Sequence, residues 1–320
     1  MKLSPLFWPI ELKGNTIRIL DETLLPQKVT YLKAKDYKQA CKAIKDMKTR
    51  AVGQVLLVMY TFLLEIKKNS SLPHLEKVAQ ALNTSRPTLS FKMLTDMVLG
   101  WARHPGLSDG QVSRSLREAA LEKSILGFLE GLKYKRIEQA KEASALFSDA
   151  DVILTHCNVS GLLPLIGEMC KEQGKRVSFY ATETRPYLQG SRLTAWELSR
   201  AGFPVTLITD SMVTQVMSEG KITKVIVGAD HLAQNGDIAN KIGTYGIAIA
   251  AKHFNIPFYV LCPPPSKVKT GKEIPIEIRP DEEMFSVFNV CVAPKGVKCY
   301  YPAFDVTPHE LISKHIYLKI

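Results

Sequence analysis

The sequence predicts an α/β protein in which a mainly helical N-terminal domain, with short strands at its start, precedes a parallel sheet covered by helices. Two observations carry this prediction. From Asp151 onward, short apolar runs alternate with helix-like segments, which is typical of a parallel sheet buried on both faces. Before that point, residues 36–147 show the apolar spacing of helices. We therefore predict an N-terminal domain over residues 1–148 and a C-terminal domain over residues 149–320.

The N-terminal elements follow from local signals. Strand-like runs at residues 16–20 and 29–32 flank Leu25-Pro26 and predict a β-hairpin or small sheet. Asp36 is suited to cap the first helix, and Pro73 stands where a helix can open. The predicted helices cover residues 36–47, 52–66, 72–82, 89–101 and, as one or two helices, 108–147.

In the C-terminal domain, polar residues follow the apolar runs that we interpret as strands. The predicted strands cover residues 152–154, 177–180, 205–208, 225–227 and 258–261. Because the carboxyl ends of parallel strands meet at one edge of a sheet, we expect the polar clusters after the first four strands to share one pocket. This edge is the expected place of an active site.

Composition and length describe an ordinary globular protein. Of its 320 residues, 46% are hydrophobic and 23% charged, and no apolar run reaches the ~18 residues of a transmembrane helix. Pro5, Pro9 and Glu11 interrupt the apolar start, so we expect no signal peptide. The six cysteines include no C-x-x-C pair, which argues against a zinc site and a disulfide framework. We therefore predict a cytoplasmic protein without a membrane partner or a bound metal.

The net charge of +11 is concentrated in the N-terminal half, where residues 1–150 hold 24 Lys and Arg against 15 Asp and Glu. A basic half suits phosphates, nucleic acid or an acidic partner. The chain has no block of Lys and Arg and no aromatic-studded basic motif, so we expect no nucleic-acid partner. It has no G-x-G-x-x-G or P-loop motif either, so no nucleotide cofactor is expected.

Cys157 is the sharpest candidate at the strand ends, and Asp230 is a second candidate. A Cys beside a helix N-terminus can have a lowered pKa and act as base or nucleophile, although most free Cys are buried small hydrophobes. Asp230 can act as a general acid or base where burial raises its pKa, and otherwise caps a helix or braces a loop. His156 and Cys157 are neighbours that point to opposite faces, so we expect no Cys–His dyad.

Further polar candidates lie near predicted helix ends. Asn240 and Lys241 lie at a predicted helix start, where they can hold a phosphate together with backbone amides. The alternative is that Lys241 is an ordinary exposed lysine. Asp237, in Asn-Gly-Asp, is typical of a turn. Arg50 and Arg86 lie between predicted helices, where an anion clamp and a surface Arg both fit.

Seven stretches of the chain resemble S-methyl-5-thioribose-1-phosphate isomerases, a family related to ribose-1,5-bisphosphate isomerase and to the regulatory subunits of eukaryotic initiation factor 2B. They occur in the family's order, and they are residues 20–26 (LDETLLP), 85–88 (SRPT), 153–158 (ILTHCN), 183–198 (ETRPYLQGSRLTAWEL), 207–212 (LITDSM), 228–244 (GADHLAQNGDIANKIGT) and 302–308 (PAFDVTP).

The resemblance implies an aldose–ketose isomerase of methionine salvage that acts on 5-methylthioribose 1-phosphate without a cofactor. It implies a helical N-terminal domain joined to a Rossmann-like C-terminal domain, and a homodimer. By motif position, Cys157 and Asp230 match the family's acid/base pair. The residues matching its substrate contacts are Arg50, Ala51, Val52, Arg86, Gln189, Asn240 and Lys241.

Two segments depart from the family pattern. Residues 50–53 (RAVG) lack the family's proline, and residues 159–161 (VSG) replace the usual Ala-Gly after Asn158. The resemblance therefore defines the type of reaction better than it defines the substrate. Two alternatives stay open: an isomerase of 5-deoxyribose 1-phosphate or ribose 1,5-bisphosphate, and a non-catalytic, initiation-factor-like protein that binds a sugar phosphate.

Overall fold

The computed structural model describes residues 3–86, 91–104, 113–287, 290–294 and 296–319. The chain divides into an N-terminal unit, Pro5–Tyr134, and a C-terminal unit, Lys135–Ile320 together with Met1–Ser4. The N-terminal unit is mainly helical with a small sheet, and the C-terminal unit contains a six-stranded parallel sheet. The predicted fold class is thereby confirmed.

The small sheet of the N-terminal unit has three antiparallel strands in chain order: β1 (Ile10–Lys13), β2 (Thr16–Leu20) and β3 (Tyr31–Ala34). The sequence predicted the second and third strands. It missed β1, although Gly14-Asn15 between Lys13 and Thr16 is a two-residue hairpin signal and Gly14 has the positive φ, +56°, that such a turn needs.

Helices build the rest of this unit. Asp36 caps the first as predicted, because its carboxylate accepts a hydrogen bond from the Gln39 N–H at 2.8 Å. Residues 89–90 and 108–112 of the predicted helices lie outside the described residues, and the last predicted stretch is a single helix from residue 114. None of the described helices is both long and apolar enough to span a bilayer. The helices are α1 (Tyr37–Lys45), α2 (Val52–Lys68), α3 (Leu72–Ser85), α4 (Lys92–Ala102) and α5 (Arg114–Ser144).

The C-terminal unit alternates strands and helices as predicted. Its strands are β4 (Asp151–Thr155), β5 (Val177–Thr182), β6 (Val205–Ile208), β7 (Lys224–Gly228), β8 (His231–Leu232), β9 (Ile238–Lys241), β10 (Phe258–Cys262), β11 (Ser286–Val287), β12 (Val290–Cys291), β13 (Phe304–Thr307) and β14 (Lys314–Tyr317). Its helices are α6 (Leu162–Glu172), α7 (Trp196–Arg200), α8 (Val213–Ser218), α9 (Thr244–His253) and α10 (Glu282–Phe285), with a π-helical stretch, Gly190–Ala195, before α7.

The main sheet has the strand order β14-β10-β7-β4-β5-β6, and all of its pairings are parallel. All five predicted strands are in it. The edge strand β14 was not predicted, since its run Lys-His-Ile-Tyr shows no continuous apolar stretch. Its Ile316 is nevertheless fully buried against β10.

A second, antiparallel sheet, β13-β9-β8, follows the end of β7. Asn240 and Lys241 lie in β9, where they are paired with Asp305 and Phe304 of β13. The prediction that these two residues begin a helix is therefore wrong: α9 begins at Thr244, and a partner strand more than 60 residues away holds residues 240 and 241 extended.

The end of α5 belongs to the C-terminal unit. There the buried Gln139 side chain donates hydrogen bonds to Cys262 O at 3.1 Å and to Ile316 O at 2.8 Å, joining the helix to β10 and β14. The compact units consequently divide inside α5, whereas the predicted domain boundary, 148/149, follows the end of that helix.

Candidate functional site

The site lies where four neighbouring strands end. Cys157 follows β4 and Asp230 follows β7, and these two strands are adjacent and parallel. A β-carbon on Gly228, the last residue of β7, would come within 2.9 Å of Val159 Cγ1, so β7 ends directly against the loop that carries Cys157. The sequence correctly placed these clusters at one sheet edge.

Cys157 has a strained backbone that is anchored on both sides. Its φ is +65°, a left-handed conformation that costs a non-glycine residue roughly 1–2 kcal/mol. The Cys157 N–H donates to Thr184 Oγ1 at 2.9 Å, and its carbonyl accepts from Thr194 Oγ1 at 2.5 Å. Thr184, whose own φ is +62°, follows β5. The strain and these anchors fix a nearly buried thiol at one position, which is typical of a functional residue.

The next residue, Asn158, ties the same loop to a buried charged cluster. Its side-chain amide donates to Glu197 Oε1 at 2.7 Å, and its Oδ1 accepts from the Ser160 N–H. The Ser160 carbonyl accepts from Arg136 Nη2 at 2.6 Å, and both Arg136 and Glu197 are buried. Burial lowers the pKa of Arg136 to about 10, although the charge of Glu197 opposes this. We did not predict Arg136, because on a long amphipathic helix it has the pattern of a surface residue.

His156 holds the loop from the opposite face. Its Nε2–H donates to Ile242 O at 2.8 Å, which leaves Nδ1 to accept from the Thr182 hydroxyl at 2.6 Å. Burial lowers the pKa of His156, although Asp210 raises it, so the ring is neutral near pH 7. A β-carbon on Gly243, whose φ is +104°, would lie 3.2 Å from this ring, so glycine keeps the space beside the imidazole open. His156 is therefore a structural residue with both ring nitrogens occupied, and no Cys–His dyad forms.

Gln189 lies at the start of the π-helical stretch and is 4% exposed. Among the described residues, its Oε1 has no hydrogen-bond donor. A buried acceptor without a donor is costly, so a ligand hydroxyl or ammonium is the natural partner.

Asn240 and Lys241 are also buried at this edge. Asn240 Nδ2 donates to Thr244 Oγ1 at 2.9 Å, which links β9 to the first turn of α9. Lys241 Nζ lies 5.0 Å from the Phe304 ring centroid and 6.0 Å from that of Tyr187, within the range of cation–π attraction. The structure thus holds an ammonium group among aromatic rings in the unit that carries Cys157.

Asp230 differs from these buried residues because it is exposed. Its backbone N–H donates to Ala239 O, which pins it to β9. The desolvation that the sequence argument requires of a general acid is absent from this structure. Bound substrate would have to supply it.

Asp237, the other carboxylate of this stretch, braces a turn as predicted. Gly271 N–H and Asn235 Nδ2 bind one oxygen, and His309 binds the other through N–H and Nδ1. Although burial raises the pKa of Asp237, these hydrogen bonds bring it down to about 2. Among the described residues, Asp237, His309 and Glu310 are the one group of three or more His, Cys, Asp or Glu side chains whose ligand atoms all lie within 4.8 Å of one another. Because Asp237 is already fully engaged, we assign no metal to it.

Four predicted substrate contacts lie around one turn of the N-terminal unit. Ala51, with φ +44°, precedes Val52, the first residue of α2. Arg50 Nε lies 3.2 Å from Glu22 Oε2, and Arg86 Nη1 donates to Gln54 Oε1 at 2.7 Å.

This turn is tightly built. The Glu22 carboxylate accepts from the Arg50 N–H and from Thr49 Oγ1, and Gln54 Nε2 donates to Thr49 O. Both arginines are therefore fixed to the same segment, residues 49–54, which gives this unit a rigid pair of guanidinium groups.

Comparison with known proteins assigns the family. The sequence pattern of the initiation factor 2 subunit family matches residues 43–317. The chain belongs to this family.

Two relatives of this chain are named as isomerases. A methylthioribose-1-phosphate isomerase from Fervidobacterium nodosum is 39% identical, with 98% of this chain and 93% of that protein aligned. A 5-deoxyribose 1-phosphate isomerase from Bacillus cereus is 42% identical over 95% of this chain and 92% of that protein. The resemblance to isomerases is confirmed, and with it the predicted enzyme class.

Two solved structures share the fold of the family. The crystal structure of 5-methylthioribose 1-phosphate isomerase from Pyrococcus horikoshii has a TM-score of 0.86 at 28% identity, covering 98% of this chain and 91% of that chain. The crystal structure of translation initiation factor eIF-2B, subunit delta, from A. fulgidus has a TM-score of 0.85 at 33% identity, covering 99% of this chain and 95% of that chain. Fold alone therefore does not separate an isomerase from an initiation-factor subunit.

Proposed function

We propose that this protein converts 5-methylthioribose 1-phosphate into 5-methylthioribulose 1-phosphate, a step of methionine salvage, with Cys157 and Asp230 as the acid/base pair. The observation that carries the proposal is the strained, doubly anchored Cys157 at the end of β4, beside the strand that leads to Asp230. Relatives named as isomerases support the reaction type.

The chemistry needs two groups with separate tasks. The C1 phosphate prevents simple opening of the ring to an aldehyde. Protonated Asp230 gives its proton to the ring oxygen as the C1–O bond breaks, and takes one back from the C2 hydroxyl as the carbonyl forms. The Cys157 thiolate takes the proton from C2 and returns it to C1. Protons balance over the cycle, and a hydride shift from C2 to C1 is the competing route.

Binding falls to the remaining predicted residues. Lys241 offers a charge to the phosphate, and Gln189 offers an unsatisfied acceptor to a sugar hydroxyl. Substrate lying over the exposed Asp230 excludes water from its carboxyl group, which favours the protonated form. Roles in substrate contact for Arg50, Ala51, Val52, Arg86 and Asn240 remain predictions from the resemblance.

The substrate is tested by incubating the protein with 5-methylthioribose 1-phosphate, 5-deoxyribose 1-phosphate and ribose 1,5-bisphosphate and following ketose formation. We expect the highest kcat/KM with the first. Preference for the second would support the alternative represented by the Bacillus cereus relative. Turnover of none of the three, with sugar-phosphate binding retained, would instead support the non-catalytic, initiation-factor-like alternative.

The resemblance also leads us to propose a homodimer, and the cysteine pattern leads us to propose a cytoplasmic location. A solution mass of a single 35.7 kDa chain by light scattering would contradict the dimer.

A further inference from the structure

Tyr301 is the most conspicuous buried group that the proposed mechanism does not use. Its side chain is 2% exposed, and its hydroxyl has no hydrogen-bond partner among the described residues. A buried hydroxyl without a partner is destabilising, because folding removes its bonds to water and returns none. Phenylalanine would fill the same space without that cost, so the hydroxyl calls for another explanation.

The surroundings of Tyr301 connect it to the site. Its carbonyl accepts from the Arg279 N–H at 2.8 Å, and Arg279 Nη2 donates to the Tyr187 hydroxyl at 2.6 Å. Tyr187 is one of the two rings beside Lys241, and its own hydroxyl donates to Glu283. The neighbouring polar groups thus satisfy one another, and the Tyr301 hydroxyl is left out of their network.

The backbone provides a second connection. Two residues after Tyr301, the Ala303 carbonyl accepts from the Ile242 N–H at 3.1 Å, and the Ile242 carbonyl accepts from His156, the residue before Cys157. Burial raises the pKa of Tyr301 above its usual range, and the charges of Glu283, Tyr187 and Cys157 add to this while Arg279 opposes it. The phenol therefore stays protonated and is a donor at any physiological pH.

We propose that the Tyr301 hydroxyl donates a hydrogen bond to an oxygen atom of the bound sugar phosphate, as a further substrate-binding residue. The inference rests on the proposed function, which supplies the ligand. It predicts that ligand-free protein tolerates the loss of the hydroxyl, whereas the complex with substrate does not.

Tyr301→Phe tests the inference, because it removes only the oxygen. Tyr300→Phe is the matched control: it makes the same change on the neighbouring residue, which is 78% exposed. With the sugar phosphate that the wild type turns over best, we expect Tyr301→Phe to raise KM about three- to tenfold, the loss of one hydrogen bond, with kcat changed less. Tyr300→Phe should match the wild type.

The melting temperature of the ligand-free protein separates binding from structure. We expect it to be unchanged or higher in Tyr301→Phe. A fall of more than about 4 °C would show that the hydroxyl has a partner within the protein, and would overturn the inference. An unchanged KM would also overturn it. Absence of turnover in the wild type would contradict the proposed function instead, and calorimetric binding of 5-methylthioribose 1-phosphate would then test the Tyr301 contact.

Discussion

At the scale of single residues, Gly190 shows how closely the site is packed. A β-carbon there would lie 1.7 Å from Thr182 O and 2.7 Å from Thr184 Oγ1, which accepts the Cys157 N–H. We expect Gly190→Ala to lower the free energy of unfolding by at least about 2 kcal/mol and to reduce turnover, because the backbone after β5 must shift.

Gly127→Ala is the matched control for this substitution. Gly127 is exposed in α5 and has open space around its Cα, so alanine should stabilise the helix by roughly 0.5–1 kcal/mol. Urea unfolding followed by circular dichroism measures both variants. Equal stability of the two would contradict the packing assigned to Gly190.

Residues at strand ends were predictable from the sequence, but their supports were not. Position after an apolar run made Cys157 and Asp230 candidates, and the family resemblance then singled them out as the acid/base pair. Thr184 and Glu197, which hold the Cys157–Asn158 loop, lie 27 and 39 residues further along the chain, and only the fold brings them there. The exposure of Asp230 could likewise not be predicted from the sequence, since it depends on which elements cover the sheet edge.

At the scale of elements, Asp305 of β13 joins the second sheet to α9. Its carboxylate accepts from the Gly243 N–H at 2.7 Å and from the Tyr245 N–H at 3.1 Å, at the start of the helix. Burial raises the pKa of Asp305 to about 6, although these two N–H groups oppose the shift. The folded protein therefore holds this proton more tightly than the unfolded chain does.

The stability that this proton contributes is fully present below the unfolded pKa, 3.8, and is lost as pH rises through about 6. Asp305→Asn cannot lose a proton. Its unfolding free energy relative to the wild type should rise by about 2–3 kcal/mol between pH 4 and pH 7.

Asp149→Asn is the control, because Arg176 holds the pKa of Asp149 below its usual range. The unfolding free energy of this variant relative to the wild type should be nearly constant from pH 5 to pH 7. Denaturation at four or five pH values measures both variants. If the unfolding free energy of Asp305→Asn relative to the wild type were also constant with pH, it would contradict the raised pKa of Asp305.

Elements with local signals were predicted, and those that depend on distant partners were not. Asp36, Pro73 and the apolar runs marked helices and strands correctly. The strands β9 and β13 pair across more than 60 residues, and β9 contains Asn and Lys that are buried by the fold. Polar residues in a buried strand have no periodic signature, so residues 240 and 241 were placed in a helix.

At the scale of the whole molecule, the fold alone does not separate an isomerase from an initiation-factor subunit, since solved structures of both share this architecture, and the isomerase class rests on the named relatives. What distinguishes the isomerase is a working acid/base pair. A protein that only binds a sugar phosphate needs neither a strained cysteine nor a carboxylate just after the adjacent strand. The central claim therefore depends on Cys157 and Asp230 acting together in turnover.

The most direct test is the kcat of Cys157→Ser and Asp230→Asn with 5-methylthioribose 1-phosphate, beside Cys170→Ser and Asp237→Asn, which alter a buried cysteine of α6 and the turn carboxylate. We predict that the first two lose about 10²–10⁴-fold in kcat while still binding the sugar phosphate. The two controls should keep turnover once their folded fraction is matched. Near-wild-type kcat in either Cys157→Ser or Asp230→Asn would contradict the assignment of the acid/base pair.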